Sequence, residues 1–193
     1  MRTSVLLVII SGLVIQTTEQ TFEKKLKASL INMEYLFSQS SSSPIFGEAK
    51  EKGQIFVGEK GQFRMDYDSG VSIVSDGRTI VQYDPSTNTA TRSLISAEVR
   101  THSLWDIICN QESNATTQVT KINSNAYAIR GLGITSNNMP IEFRFNDSYL
   151  ESIQWVDKSG GTQILSLGKP KALRFENRKR LILTLPNKTR WVK

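Results

Sequence analysis

Residues able to carry out acid–base or nucleophilic chemistry are scarce in this chain, which has a single histidine, His102, and a single cysteine, Cys109. Nucleophilic triads and most zinc sites use histidine, and a zinc site usually needs three or four ligands. A serine site around His102 stays open, although no Gly-x-Ser-x-Gly elbow accompanies it. We interpret His102 as an exposed residue at the start of a helix. Cys109 ends a largely apolar run, and we expect it to be buried.

The sequence also lacks the motifs of nucleotide and metal sites. It contains no Gly-x-x-x-x-Gly-Lys-Ser/Thr loop and no dinucleotide fingerprint after a predicted strand. Asp66, Asp68, Asp76 and Asp84 lie at the edges or turns of predicted strands, without the spacing of a calcium loop. We therefore expect no metal site, no cofactor and no enzyme activity, and we predict a binding function.

Basic residues are concentrated at the C-terminal end of the chain. The formal net charge is +6, and residues 158–193 contain ten Lys or Arg and one acid, Glu176. Such a segment could meet an anionic membrane or an acidic partner protein, or it could be a solvated surface. We expect no nucleic-acid partner, because the aromatic residues lie on the apolar faces of predicted strands and not among the basic residues.

The first 20 residues have the pattern of a secretory signal peptide. Arg2 is followed by a largely apolar run over residues 4–15, which is short for a membrane span of roughly 20 apolar residues. No Ala-x-Ala cleavage box follows, so an uncleaved anchor stays open as an alternative. We predict an exported protein with a single domain over residues 21–193. One cysteine cannot form an internal disulfide, so the core has to stabilise this domain.

Two segments show the apolar spacing of helices. In residues 21–38 the apolar side chains recur at helical intervals on one stripe, and a serine-rich loop is predicted over residues 38–44. Residues 103–111 form a short apolar stretch without strand alternation. The stripe of the first segment consists of Phe22, Leu26, Leu30, Met33 and Phe37.

Alternation of apolar and polar side chains predicts strands over most of the remaining chain. In residues 62–67, for example, Phe63, Met65 and Tyr67 alternate with Arg64 and Asp66. Asp76-Gly77 predicts a hairpin turn. Strands are predicted over residues 54–57, 62–67, 71–75, 79–83, 89–93, 118–122, 126–130, 141–146, 150–156, 162–167 and 180–185. The fold class is mainly β, a large curved antiparallel sheet whose concave face is covered by the helices.

These segments, in this order, resemble the LolA family of periplasmic outer-membrane lipoprotein carriers. The resemblance is carried by Gly53-Gln-Ile-Phe-Val, Gln62-Phe-Arg-Met-Asp-Tyr, Ile73-Val-Ser-Asp-Gly-Arg-Thr, Val81-Gln-Tyr-Asp-Pro, Ser103-Leu-Trp-Asp-Ile-Ile-Cys-Asn and Ile182-Leu-Thr-Leu-Pro-Asn. It implies an unclosed antiparallel β-barrel with a cavity closed by helices. It also implies a monomeric periplasmic carrier of acylated lipoproteins, which takes its cargo from an inner-membrane ABC transporter and passes it to an outer-membrane lipoprotein acceptor.

The resemblance also implies a set of residues for the cavity and for its lid. Acyl chains gain about 0.8 kcal/mol per buried CH₂, so an apolar cavity can replace the membrane as their solvent. The alternative is an ordinary closed core. The predicted cavity residues are Ile55, Val57, Phe63, Met65, Tyr67, Ile73, Val81, Tyr83, Phe143, Phe145, Ile153 and Trp155. The internal helix with Leu104, Trp105, Ile107 and Ile108, together with residues 22–37, is predicted to fill the empty cavity and to move aside on loading.

The sequence departs from the family pattern at Glu59-Lys60. Many members have an Arg-Pro pair there, and that arginine is thought to hold the lid closed. A glutamate accepts hydrogen bonds but cannot donate them to lid carbonyls. Either Lys60 or Arg64 takes over this contact, or the lid is held differently, or the cargo differs.

Other functions stay open beside the lipoprotein carrier. One is a carrier of another lipid or a glycolipid, and another is a lipid-acting hydrolase that uses His102 as a base. A third is a membrane barrel, but its strands would need roughly 9–11 residues, and the predicted strands are shorter.

Overall fold

The structure is a computed structural model that describes residues 17–43, 47–94, 118–131 and 139–192. The apolar part of the predicted leader, His102, Cys109 and the predicted internal helix lie outside the described residues. The predicted lid residues Leu104, Trp105, Ile107 and Ile108 lie outside them as well.

Helix α1 spans Thr18–Leu30 and begins with a capping box. The Thr17 hydroxyl accepts from the Gln20 backbone N–H at 3.2 Å, and the Gln20 side-chain carbonyl accepts from the Thr17 N–H at 3.1 Å. Two N–H groups that the helix itself cannot satisfy are thereby bonded. The helix therefore starts before the predicted position, at residues that the sequence assigned to the leader.

The predicted end of this helix at residue 38 is wrong. Asn32 has a left-handed backbone with φ of 57°, which ends the helix, and strand β1 spans Met33–Ser43. Met33 and Phe37 fit the helical stripe, but with Tyr35 between them they also alternate as in a strand. The predicted serine loop is also wrong, because the serines of β1 pair with strands on both sides.

Most of the other strands follow the alternation in the sequence, but the strand at 47–57 begins seven residues before its predicted start, and the strands at 171–172 and 190–192 were not predicted. Four of them, β3, β8, β9 and β11, have the predicted bounds. The elements are β2 (Gly47–Val57), β3 (Gln62–Tyr67), β4 (Ser72–Asp76), β5 (Thr79–Asp84), β6 (Thr89–Leu94), β7 (Gln118–Asn123), β8 (Ala126–Arg130), β9 (Ile141–Asn146), β10 (Tyr149–Val156), β11 (Thr162–Leu167), β12 (Lys171–Ala172), a 3₁₀ helix (Phe175–Leu181) and β13 (Arg190–Val192).

The described strands form one sheet of 13 strands, which confirms the predicted fold class. Its order is β13-β6-β5-β4-β3-β2-β1-β11-β10-β9-β8-β7, and β12 pairs with β1. Pairing is antiparallel except between β13 and β6, which run parallel, so the sheet is mixed. The end strands β13 and β7 do not pair with each other, and the described sheet is not closed into a barrel.

The predicted hairpin at Asp76-Gly77 is confirmed between β4 and β5. Gly77 has φ of 85°, and a Cβ at this position would lie 2.2 Å from the Lys60 carbonyl oxygen. Both the backbone conformation and the close approach require glycine here.

The predicted strand over residues 180–185 is wrong. The 3₁₀ helix extends to Leu181, and residues 183–186 form no strand. The chain then reaches Pro186, which has no N–H for a ladder. We call residues 175–192 the C-terminal segment.

The two faces of the sheet have different covers. Cross-strand partners such as Val57 and Phe63, or Ile55 and Met65, place their side chains on one face, which we call the inner face. Helix α1 packs on this face against β10, β7 and β1. The C-terminal segment contacts β2 and β3 and pairs with β6. Arg64 on the outer face donates to the Ile182 carbonyl of this segment.

Candidate functional site

The inner face gathers most of the predicted cavity residues into one apolar cluster with α1. Seven of them are buried in this cluster, and three more are partly buried against it. The buried members are Ile55, Val57, Phe63, Met65, Phe143, Phe145 and Ile153, and the partly buried members are Tyr67, Ile73 and Trp155.

Val81 and Tyr83 lie on the outer face, so their predicted place in the inner cavity is wrong. Arg64 lies between the inward Phe63 and Met65, so its side chain points outward. Val74 pairs with Arg64, and Val81 pairs with Val74, so both share this outward direction. Tyr83 is paired with Ser72 and shares this outward parity. The two-residue turn at Gly77-Arg78 sets the register, because a shift of one residue moves every side chain to the other face.

Helix α1 fills the space above the inner face with its apolar stripe. The ring of Phe22 lies 5.2 Å from that of Phe143, 5.3 Å from that of Tyr127 and 6.2 Å from that of Phe145, in tilted and edge-on arrangements. Leu26 and Leu30 continue the stripe and are buried. These geometries are favourable for aromatic pairs, so the helix is well packed in this state.

Several residues of the cluster were not predicted as part of the site. Tyr35 and Phe37 were predicted in the helix that covers the cavity, but they lie on the inner face of β1. The others lie on predicted strands, and the inward parity of those strands was the signal that could have found them. They are Tyr127, Ile129, Ile141, Leu150, Leu165 and Leu167.

Polar contacts hold α1 to the sheet near its C-terminal end. The buried Tyr35 hydroxyl donates to the Ser29 backbone carbonyl, and the Ser29 hydroxyl donates to the Lys25 carbonyl at 2.8 Å. The Lys25 ammonium donates to the Ser124 carbonyl at 3.2 Å and lies 5.5 Å from the centroid of the Phe145 ring. Burial raises the pKa of Tyr35 well above its ordinary value, so the hydroxyl stays a donor over the physiological range.

Glu59 lies in the turn between β2 and β3, where it contacts the connection between α1 and β1 and the 3₁₀ helix. Its carboxylate accepts from the Asn32 side-chain amide at 3.0 Å and pairs with Arg178 at 3.6 Å. Asn32 joins α1 to β1, and Arg178 lies in the 3₁₀ helix. Glu59 therefore links the connection between α1 and β1 to the 3₁₀ helix, as an acceptor and not as a donor.

Arg64 does not contact the helix that covers the inner face. Its guanidinium donates to the Ile182 carbonyl at 2.9 Å and pairs with Asp66 at 2.8 Å, both on the outer face. Among the described residues, the side chain of the sheet that donates a hydrogen bond to an α1 carbonyl is Tyr35. No sequence motif marked Tyr35 for it.

The site has the chemistry of an apolar binding surface. Where the structure describes the chain, no group of three or more His, Cys, Asp or Glu side chains could hold a metal ion. Over residues 17–43, 47–94, 118–131 and 139–192, no helix is long and apolar enough to cross a membrane. The inner face offers aromatic and aliphatic side chains that would bind a large apolar group if α1 moved away.

Comparison with known proteins gives one family and a set of similar folds. The family model described as "Outer membrane lipoprotein carrier protein LolA" matches residues 29–178. No curated protein sequence matches the chain.

Two solved structures share the fold at low sequence identity. An uncharacterized conserved protein from Thermus thermophilus is 12% identical with a TM-score of 0.56, covering 91% of this chain and 99% of that one. A putative outer membrane lipoprotein-sorting protein domain from Vibrio parahaemolyticus is 9% identical with a TM-score of 0.51, covering 84% and 96%. At this identity the likeness concerns the fold alone.

Proposed function

Because the chain belongs to the family of the outer membrane lipoprotein carrier protein LolA, we propose that it is a monomeric periplasmic carrier that holds the acyl chains of lipoproteins on the inner face of its sheet. Members of this family are carriers and not enzymes. The finer steps proposed for this chain are uptake from an inner-membrane ABC transporter and delivery to an outer-membrane acceptor. Export would use a leader within the first 20 residues, followed by a single domain.

The observation that carries the proposal is the cover of the inner face. Among the described residues, one helix of 13 residues, and no second sheet, lies on this face. It attaches to the sheet through buried side chains of one stripe and through the contact of Tyr35 with Ser29. A short element attached in this way can leave its place without breaking any strand pairing of the sheet.

The energies of helix and cargo are of comparable size. Burial of Phe22, Leu26 and Leu30 stabilises the covered state by roughly 5–9 kcal/mol. An acyl chain of about 14 methylene groups gains about 11 kcal/mol when it leaves water. An acyl chain can therefore displace α1, and the small remainder keeps release to an acceptor possible.

Two substitutions on opposite sides of this contact test the competition between helix and cargo. Leu26→Ala weakens only the state in which α1 covers the sheet, by about 2–5 kcal/mol. For a loss of about 2 kcal/mol, the affinity for a fluorescent fatty-acyl probe should rise about 30-fold. Trp155→Glu places a carboxylate on the inner face and should lower the affinity more than tenfold, because burying a charge is costly.

The matched control is Leu36→Ser, since Leu36 is exposed on the outer face of β1. This variant should bind the probe like the unmodified protein. If no protein binds the probe and Leu26→Ala only lowers the free energy of unfolding, the inner face is an ordinary core and the proposal fails.

Depletion of the protein in the cell tests the cargo. We expect lipoproteins to accumulate at the inner membrane when the protein is removed. Normal lipoprotein sorting, together with probe binding by the purified protein, would instead assign it to another lipid or a glycolipid.

A further inference from the structure

Three large apolar side chains are exposed near one edge of the outer face. Leu94 is 80% exposed, Ile182 67% and Trp191 51%. We call these three residues the outer-face patch. Ile182 and Trp191 line a pocket of about 270 Å³, and Thr79, the cross-strand partner of Leu94, lines it too.

The fold places this patch in a defined position. The Ile182 carbonyl accepts from Arg64 at 2.9 Å, while its side chain stays exposed. Leu181, Leu183 and Leu185 line the same pocket as Val74 and Val81 of the sheet. The segment ends in β13, where Trp191 lies beside Ala90 of β6. The apolar side chains therefore protrude from a backbone that is fixed on the sheet.

Basic residues outnumber acidic ones around the patch, although Asp76 also lines its pocket. Residues 169–192 contain eight Lys or Arg and one acid, Glu176. The guanidinium carbon of Arg92 lies 5.2 Å from the centroid of the Trp191 ring. Lys179 and Lys188 are exposed along the C-terminal segment, whereas Arg190 has the opposite parity to its strand neighbour Trp191. Apolar side chains with a basic surround are typical of surfaces that bind anionic lipid bilayers.

We propose that the outer-face patch docks on the surface of an anionic bilayer, with Trp191 and Ile182 entering the headgroup region. Tryptophan favours this region because its ring is apolar and its N–H can donate. Docking of this kind needs no shape complementarity. A stable protein interface needs about 800 Å² of complementary surface per partner, more than three protruding side chains supply. The proposal does not depend on acyl chains binding to the inner face.

Co-sedimentation of the purified protein with lipid vesicles tests the proposal. The protein should bind vesicles that contain phosphatidylglycerol and should bind pure phosphatidylcholine vesicles at least tenfold more weakly. Affinity should fall as salt rises from 0.1 M to 1 M, because the screening length falls from about 10 Å to about 3 Å.

Substitutions in the patch separate it from other apolar residues. Ile182→Ser and Trp191→Ser should each lower vesicle affinity about tenfold. Ile122→Ser is the matched control, because Ile122 is 51% exposed on β7 at the other end of the sheet, and it should bind normally. Lys179→Gln and Lys188→Gln should each lower affinity about fivefold.

Binding of the acyl probe and the midpoint of thermal unfolding should stay unchanged in all these variants. Trp155→Glu, which alters the inner face, should still bind vesicles. The proposal is overturned if Trp155→Glu loses vesicle binding, since the vesicles would then only supply lipid to the inner face. It is also overturned by equal binding to both vesicle types, by full binding of the patch variants, or by light scattering that shows the patch joining two copies of the chain.

Discussion

Tyr35 is the residue that most directly joins the cover of the inner face to the sheet. Its ring is buried in β1, and its hydroxyl donates to the Ser29 carbonyl in the last turn of α1. Carbonyls in the last turn of a helix have no partner within the helix. The Tyr35 hydroxyl therefore satisfies a group that would otherwise be buried without a hydrogen bond.

Tyr35→Phe should loosen α1 while leaving the apolar cluster intact. The variant keeps the ring and removes the donor, so the Ser29 carbonyl stays buried without its partner. We expect a loss of about 1–2 kcal/mol in the free energy of unfolding, measured by urea denaturation. Tyr149→Phe is the control, because the bond that the Tyr149 hydroxyl accepts from Asn146 is exposed and its loss should have little effect. An equal loss in both variants would contradict this role.

The same hydroxyl should make stability depend on alkaline pH. Burial raises the pKa of Tyr35 above its ordinary value of 10.0, so the unfolded chain ionises first as pH rises. The contribution of Tyr35 is fully present below about pH 10 and is lost as pH rises further. Urea denaturation from pH 8 to 11 should show a smaller decline for Tyr35→Phe than for the unmodified protein. Equal declines would show that Tyr35 does not contribute to the loss of stability at alkaline pH.

At the scale of elements, α1 depends on residues that precede its apolar stripe. The capping box of Thr17 and Gln20 bonds two N–H groups of the first turn. We predict that Thr17→Ala lowers the free energy of unfolding by about 1 kcal/mol and increases hydrogen exchange of α1 amides. Thr18→Ala, on the first helical residue, is the control and should change neither.

Mass spectrometry of the exported protein should show that the mature chain keeps Thr17.

The elements that could be predicted from the sequence are those whose alternation has one interpretation. Phe63, Met65 and Tyr67 alternate with charged residues, so β3 was predicted with its observed bounds. Met33 and Phe37 fit both a strand and a continued helix, and only Asn32 with its left-handed backbone decides between them. The serines of β1 give no apolar pattern, and their strand forms because β2 and β11 pair with it on both sides.

The candidate site could be predicted only in part, for a related reason. Alternation shows which residues of a strand share a face, but not which face turns inward. Val81 and Tyr83 have the alternation of their neighbours, yet the two-residue hairpin gives them outward parity. The partner of the α1 carbonyls was also hidden, because a tyrosine in a strand has no sequence signal for a contact six residues back.

At the scale of the whole molecule, the sheet separates two surfaces with different chemistry. The inner face is apolar and carries α1, while the outer face carries the basic C-terminal segment. Contacts of Arg178 with Glu59 and of Arg180 with Glu34 attach this segment to turns and strands near the start of β1. Part of the basic charge therefore has a structural role, and the rest remains available to an anionic surface.

Competition between α1 and cargo predicts opposite effects of a ligand on the helix and on the sheet. A bound acyl chain stabilises the whole fold by about 2.7 kcal/mol at a ligand concentration 100 times Kd. In the proposed mechanism, the same ligand displaces α1 and exposes its backbone. Hydrogen exchange with saturating acyl probe should therefore become slower in β8 and β9, whose aromatic rings contact Phe22 of the helix, and faster in residues 18–30.

This pair of opposite changes distinguishes the carrier mechanism from simple ligand binding. If protection of α1 rises together with that of the sheet, the ligand binds with the helix in place and the inner face is not the site. Trp155→Glu should abolish both changes, while Leu36→Ser should retain both. The sign of the change in α1 thus reports directly whether cover and cargo occupy the same surface.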